Sequence, residues 1–183
     1  MMNHTPFGCG GMNVGDMSNV SLSAPLQQLK EEHVSLRKAM DAFYATAQRI
    51  VPGSTDDTDL RKQFNTLHDQ IASFTKQLKL HSKKEDDGLF PMMAKYIGRE
   101  SGPIAVMEYE HQQAEQYLNR FLEGTEEAKP QNNKDQIKSI TQFAIEAYFI
   151  LTEHFIKEEN VLFPMAENML STEEKEQLQQ QFQ

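Results

Sequence analysis

Apolar residues recur at steps of three and four along four long segments of this chain. An α-helix turns once every 3.6 residues, so each series lies on one face of a helix and forms a stripe that the helix must bury. The series, in chain order, are Leu26, Leu29, His33, Leu36, Met40, Phe43, Ala47 and Ile50; Leu60, Phe64, Leu67, Ile71, Phe74, Leu78, His81 and Glu85; Ile104, Met107, His111, Ala114, Leu118 and Phe121; and Ile137, Ile140, Ala144, Ala147, Leu151, His154, Glu158 and Val161. Four such stripes joined by short connections predict an all-α fold, an up-down-up-down antiparallel four-helix bundle.

Glycine, proline and capping residues divide the segments. Residues that start or separate helices are Ser23 ahead of Pro25, Pro52-Gly53, Thr55-Asp56-Asp57, Gly98 to Pro103, Gly124 to Pro130 and Asn132-Asn133. Ser171 and Glu174 have the spacing of a capping box, which predicts a short C-terminal helix. Four of the nine glycines fall in the first fifteen residues. We therefore interpret residues 1–22 as a flexible tail and residues 23–183 as the bundle domain.

Composition excludes several classes of protein. The 27 acidic and 18 basic residues give a formal charge of -9, which argues against nucleic acid as a partner because phosphate binding needs clustered lysine and arginine. The longest apolar run falls far short of the ~20 residues that a membrane span requires. The single cysteine, Cys9, cannot form an internal disulfide, and the N-terminus lacks the features of a secretory signal. We therefore expect a cytoplasmic protein without nucleic-acid or membrane partners, and the protein partner stays open.

One histidine interrupts each stripe, and glutamate follows two of these histidines four residues later, as Glu85 and Glu158. If a stripe takes two of every seven positions, four histidines fall on stripes by chance about once in 150. Counted at ~1.5 Å per residue, all four lie at similar depth, off-centre in the bundle. Buried imidazoles and carboxylates without partners are costly, and a cation among them removes that cost. The pattern therefore predicts a metal site rather than four separate core histidines.

The chain also repeats itself. The twelve residues that begin at His81 match the twelve that begin at His154 at 7 positions, including Leu-Phe-Pro-Met at the end. The lone histidines of the first and third stripes each follow a glutamate. Two similar helical hairpins, each with one lone histidine and one His-x-x-x-Glu, predict a near-symmetric site for two metals. Pro91 and Pro164, which lack an N–H, predict a kink in both helices just past the site.

In these residues the chain resembles the hemerythrin-like (HHE cation-binding) proteins, over about residues 25–168. The order His, His-x-x-x-Glu, His, His-x-x-x-Glu, with Leu-Phe-Pro after it, carries the resemblance. Family members are four-helix bundles with a non-haem di-iron centre. The resemblance therefore implies two iron ions with bridging and terminal ligands Glu85, Glu158, His33, His81, His111 and His154. Imidazole with carboxylate also suits manganese or zinc, and six such residues leave open positions on two octahedral ions.

One position departs from the oxygen-carrying hemerythrins. Those carriers have a second histidine four residues after the histidine of the third helix, where this chain has Glu115. Glu115 either faces the metals as a seventh ligand or lies in water on the flank of the bundle. The set of four histidines and two glutamates looks more like the repair-of-iron-centres branch, which handles nitric oxide and damaged iron–sulfur clusters.

The residues thus favour a di-iron protein that binds or processes a small oxidant (O2, peroxide or nitric oxide), in iron-centre repair or in oxidative or nitrosative stress. The alternatives are an iron or oxygen sensor or store without turnover, and a zinc-stabilised helical interaction module. Structural zinc sites are usually closed and tetrahedral, so open positions favour the first two. Lys84 and Lys157, which match between the repeats, are interpreted as part of a solvated helix face, and His68 as a surface residue.

Overall fold

The computed structural model describes residues 20–51, 57–127 and 134–183. The predicted tail up to residue 19, with Cys9, lies outside these ranges, as do the helix-start signals at Thr55-Asp56 and Asn132-Asn133. The described chain is all-helical and contains no strand, which confirms the predicted fold class. No described helix is both long and apolar enough to cross a membrane.

Seven α-helices and two π-helical segments make up the described chain. In order they are α1 (Ala24–Ile50), α2 (Asp57–Lys84), a first π segment (Glu85–Leu89), α3 (Phe90–Ile97), α4 (Pro103–Glu127), α5 (Lys134–Lys157), a second π segment (Glu158–Leu162), α6 (Phe163–Met169) and α7 (Thr172–Gln181). A π turn therefore joins α2 to α3, and another joins α5 to α6, without a break in the helical chain.

The caps follow the sequence signals. The Ser171 side chain accepts a hydrogen bond from the backbone N–H of Glu174, and the Glu174 carboxylate accepts one from the backbone N–H of Ser171. The predicted capping box and C-terminal helix are thus confirmed. Ser23 precedes α1, with Pro25 in the first turn. The backbone N–H of Ser23 donates to Glu167 Oε2 at 2.7 Å, which connects the start of α1 to α6.

The predicted stripes are the buried faces of the long helices, except that His111 is 9% exposed and Val161 is exposed. Every stripe residue of α1 and α2 is buried. Val161 was predicted on the fourth stripe, and this was wrong: it is 42% exposed, whereas Leu162 is 1% exposed. A π turn is wider than an α turn, so the residue that returns to the buried face comes one position later.

Each π segment begins at the glutamate of a His-x-x-x-Glu pair. The Phe90 N–H donates to the Glu85 carbonyl, and the Phe163 N–H donates to the Glu158 carbonyl, each five residues back. A proline stands two residues after each segment and cannot donate a hydrogen bond to the preceding turn. The break in the α-helical pattern therefore starts at the glutamates, six residues before the prolines at which kinks were predicted.

The core consists of two apolar clusters with a polar layer between them. α1 packs against α2 and α5, and α4 also packs against α2 and α5. The larger cluster contains Leu36, Phe43 and Phe74, and the smaller one contains Leu29 together with residues of α3, α6 and α7. His33 lies on α1 between Leu29 and Leu36. The stripe histidines thus lie in a polar layer with an apolar cluster at each end.

Candidate metal centre

Six of the predicted ligands come together in two groups. One histidine comes from each long helix, and the two glutamates are the first residues of the π segments. The first group is His33, His81, Glu85 and Glu158, and the second is Glu85, His111, His154 and Glu158. Within each group the candidate ligand atoms all lie within 4.8 Å of one another, so each group could hold one metal ion.

Both glutamates belong to both groups, and each directs one oxygen towards each group. Glu158 Oε2 lies 3.2 Å from His33 Nε2, and its Oε1 lies 3.1 Å from His154 Nε2. Glu85 Oε1 and Oε2 lie 3.4 Å from the Nε2 atoms of His81 and His111 respectively. A carboxylate in this orientation can bridge two metal ions, because its two oxygens are independent donors.

The donor atoms fit a metal better than they fit one another. Both carboxylate oxygens of Glu85 and of Glu158, and Nε2 of His111 and of His154, are buried without a hydrogen-bond partner. Buried polar atoms of this kind need a partner. His33 Nε2 lies 3.0 Å from His81 Nε2. Two nitrogens bound at right angles to one ion at about 2.1 Å would lie about this far apart.

The far side of every imidazole ring contacts a carboxylate. The pairs are His33 Nδ1 with Glu159 Oε1 at 2.8 Å, His81 Nδ1 with Glu32 Oε2 at 2.9 Å, His111 Nδ1 with Asp86 Oδ1 at 3.0 Å and His154 Nδ1 with Glu110 Oε2 at 3.2 Å. When Nδ1 donates to a carboxylate, Nε2 keeps its lone pair for the centre. Such partners fix the ring orientation of metal-binding histidines.

Cations hold three of these outer carboxylates in turn. Lys84 pairs with Glu32, Lys157 pairs with Glu110, and Arg37 pairs with Glu159, all at short distances. The two lysines, interpreted from the sequence as part of a solvated helix face, are 24% and 41% exposed, and each also pairs with a carboxylate that contacts a histidine. The match of these lysines between the repeats, and the glutamate before each lone histidine, were the sequence signals for this outer layer.

Neighbouring carboxylates raise the pKa of histidines in the centre when no metal is bound. Burial lowers the pKa of the His81 imidazole, but Glu85 and Glu32 outweigh burial and raise that pKa to about 10. Burial likewise opposes protonation of His111, and Asp86 and Glu85 raise its pKa to about 10. Burial raises the pKa of Glu85, yet its histidine neighbours hold that pKa well below the usual range. The ligand carboxylates are therefore ionised at neutral pH, while these two imidazoles carry protons.

Metal binding should consequently release protons. A metal binds only neutral imidazole, and His81 and His111 are protonated below about pH 10 without metal. We expect at least two protons released per chain on full loading at pH 7. Burial lowers the pKa of His154, but Glu158 and Glu110 outweigh burial and raise it, so His154 adds to this number. The affinity for metal should fall as the pH falls from 10 to 7, because protons compete with the metal for the same nitrogens. Calorimetry in two buffers of different ionisation enthalpy measures the number, and a value of zero would contradict the protonation states.

Glu115, the seventh predicted ligand, is not brought to the centre. Its side chain is 54% exposed, and Oε1 lies 3.4 Å from Lys79 Nζ. It belongs to neither group of candidate ligands. His68 is half-buried, with Nδ1 2.8 Å from Thr125 Oγ1, and also belongs to neither group.

Comparison with known proteins connects this geometry to a family. The model of the hemerythrin HHE cation binding domain matches residues 24–166. The iron-sulfur cluster repair protein YtfE of Salmonella schwarzengrund is 34% identical over 109 residues, which are 58% of this chain and 46% of that protein. The YtfE proteins of Salmonella paratyphi B and Salmonella newport match with the same identity and coverage. The match thus spans less than half the length of these relatives.

Proposed function

Because the chain belongs to the hemerythrin HHE cation-binding family, we propose that its six clustered ligands hold two iron ions and that the protein binds or processes a small oxidant. The proposed oxidant is O2, peroxide or nitric oxide. The terminal ligands are the four histidines of the two groups, and Glu85 and Glu158 bridge the ions. Glu115 lies outside the ligand set in this proposal.

The shared glutamates are the observation that carries the proposal. Glu85 and Glu158 each present one oxygen to each group, at 3.1–3.4 Å from the nearest imidazole nitrogens. Four nitrogens and four oxygens supply four donors to each of two ions. Octahedral ions would keep open positions at which a small molecule can bind. A single closed tetrahedral zinc site would use only part of this set.

The protein residues around the ligands orient them and exclude water. Glu32 and Glu110, each held by a lysine, keep Nε2 of His81 and His154 directed towards the centre. Phe155 stacks on the His33 ring with the centroids 4.2 Å apart and contributes to a dry wall. When bound, iron would supply the redox chemistry and the positions for the oxidant.

A role in the repair of iron centres, in the cytoplasm, is part of the proposal. The support is that three relatives, matched over 58% of this chain, are named iron-sulfur cluster repair proteins. The same ligand set would also serve an iron or oxygen sensor or store. Turnover of an oxidant by the iron-loaded protein separates these functions.

We also propose that the four long helices form the up-down-up-down antiparallel bundle. Phe43 contacts Phe74 with the ring centroids 5.2 Å apart, and His33 contacts His81 at 4.8 Å. Residue numbers therefore rise along α1 while they fall along α2. The contacts between α4 and α5 show the same reversal, which supports alternating helix directions.

Metal analysis tests the proposed function. Protein from iron-supplemented cells should contain two metal ions per chain, mainly iron, because two ligand groups share both glutamates. The oxidised protein should show the absorption of an oxo-bridged iron pair in air. Elemental analysis and an absorption spectrum provide the check. One zinc ion per chain and no iron would contradict the proposal and favour the zinc-stabilised interaction module.

A further inference from the structure

A cavity of about 240 Å³ lies between α2 and α4, beside only one of the two ligand groups. His111 lines it, and none of the other five proposed ligands does. The side chain of His111 is 9% exposed, whereas those of the other five are at most 2% exposed. The buried wall of the cavity includes Leu78 and Leu118, and Lys79 and Glu115 form part of its exposed rim. The centre therefore approaches solvent at the second ligand group, the one that contains His111.

The internal repeat explains why this side is open. Ser82 follows His81, and the matching residue after His154 is Phe155. Ser82 lines the cavity between α2 and α4. Phe155 is fully buried and stacks on His33, at the pseudo-equivalent place between α5 and α1. A small side chain thus leaves space on one side where an aromatic ring fills it on the other.

A second pair of matched positions shows the same difference. Ala114 stands three residues after His111 and lines the cavity, whereas Leu36 stands three residues after His33 and is buried in the core. The leucine on the first side therefore fills space with three more carbon atoms than the alanine on the second. Both differences reduce the filling of the same side of the centre.

The next residue after each of these positions differs in charge. Arg37 follows Leu36, pairs with Glu159 and lies over the Phe155 ring, with its guanidinium carbon 5.5 Å from the ring centroid. Arg37 therefore covers the filled side. Glu115 holds the equivalent place at the open side, where it is 54% exposed and lies 3.4 Å from Lys79 Nζ.

We propose that a small neutral molecule enters the centre through the cavity between α2 and α4 and reaches the metal position of His111 and His154, not that of His33 and His81. The two halves of the repeat would then have unequal roles: one metal position receives the ligand and the other is sealed. The rim carries both carboxylates and lysines, whereas the buried wall is apolar, with Leu78, Leu118 and Leu151. A small neutral molecule fits such a wall better than an ion does, so the ligand class is neutral. This inference rests on the proposed function, since it assumes that metals occupy both groups.

The test fills the cavity from either helix. Ser82→Phe and Ala114→Leu place at each position the side chain of its repeat counterpart. Ser73→Phe is the matched control, because Ser73 is an exposed residue of the same helix α2 and does not line the cavity. Xenon-pressurised crystals of the iron-loaded proteins report occupancy of the cavity. Nitric oxide, mixed anaerobically with the ferrous proteins, reports access to the metal by stopped-flow absorbance, with iron content measured for each variant.

Xenon should occupy the cavity in wild type and in Ser73→Phe and should be absent in the filled variants. The rate of nitric oxide binding should fall about tenfold or more in the filled variants, which corresponds to an added barrier of about 1.4 kcal/mol. Iron content should stay unchanged. If the filled variants lose xenon but bind nitric oxide at the wild-type rate, the entry route is wrong while the proposed function stands. If wild type takes up no iron, the proposed function itself fails. Ala114→Leu keeps the test decisive if Ser82→Phe does not fold.

Discussion

Replacement of Glu158 with alanine should remove most of the bound metal from the protein. Glu158 directs one oxygen to each ligand group, 3.2 Å from His33 Nε2 and 3.1 Å from His154 Nε2. Its loss therefore weakens both metal positions at once. The bundle should stay helical, because the two apolar clusters do not depend on this side chain. We expect less than half of the wild-type metal content by elemental analysis, and a helical circular dichroism spectrum.

The same variant should lose the stabilisation that metal provides. A ligand that binds only the folded state stabilises it by about 4 kcal/mol at a free concentration of about 1,000 times Kd. Wild type should therefore melt at a clearly higher temperature with metal than without it, and Glu158→Ala should show little difference. Glu153→Ala is the matched control, because Glu153 is an exposed residue of α5, five residues before Glu158. Full iron content and an unchanged spectrum in Glu158→Ala would exclude the bridging role.

Loss of an outer carboxylate should weaken metal binding without removing a ligand. Glu32 Oε2 lies 2.9 Å from His81 Nδ1, and Glu32 also pairs with Lys84. Burial raises the pKa of Glu32, but hydrogen bonds from His81 and Lys84 outweigh burial and lower it to about 2, so the carboxylate is ionised at neutral pH. In Glu32→Gln this charge is lost while the shape is kept. We expect the metal affinity to fall by about 10- to 100-fold.

A neighbouring glutamate supplies the control for this experiment. Glu31 precedes Glu32 on α1, is exposed, and accepts a hydrogen bond only from Gln27 of its own helix among the contacts described for it. Glu31→Gln should therefore keep the wild-type affinity. Competition with a chelator of known affinity measures both variants. Equal affinities for Glu32→Gln and wild type would show that the outer carboxylate does not support His81.

The clustering of the six candidate ligands could be predicted from the sequence because it depends on local spacing. Stripes at steps of three and four determine which residues face the core, and they place His33, His81, His111 and His154 on buried or nearly buried faces. The i+4 spacing also places Glu85 and Glu158 beside their histidines. Two similar halves in one chain then imply two metal positions. These inferences require only the period of the helix, which the sequence carries residue by residue.

The exposure of Val161 could not be predicted from the sequence, because the π segments change which residues face the core after each glutamate. A helix of constant period would bury Val161, whereas the wider turn buries Leu162 instead. The sequence contains the proline that follows each segment, but it does not specify where the wider turn is placed. That choice depends on how the two glutamates and the following Leu-Phe-Pro residues pack against neighbouring helices.

The sequence also left open whether the Glu115 side chain points towards the centre or into solvent. Its i+4 spacing from His111 permits both an inward and an outward direction, and packing of α4 against α2 placed it beside Lys79 in solvent. The partners of the histidine Nδ1 atoms could not be predicted from the sequence either. The partner of His33, for example, is Glu159, which lies on another helical segment 126 residues away. The sequence by itself therefore determined the buried faces, the clustering of the candidate ligands and the internal repeat, because these are periodic and local. Only the tertiary structure decided the outer contacts and the open side of the centre, because both arise where side chains from different helices meet.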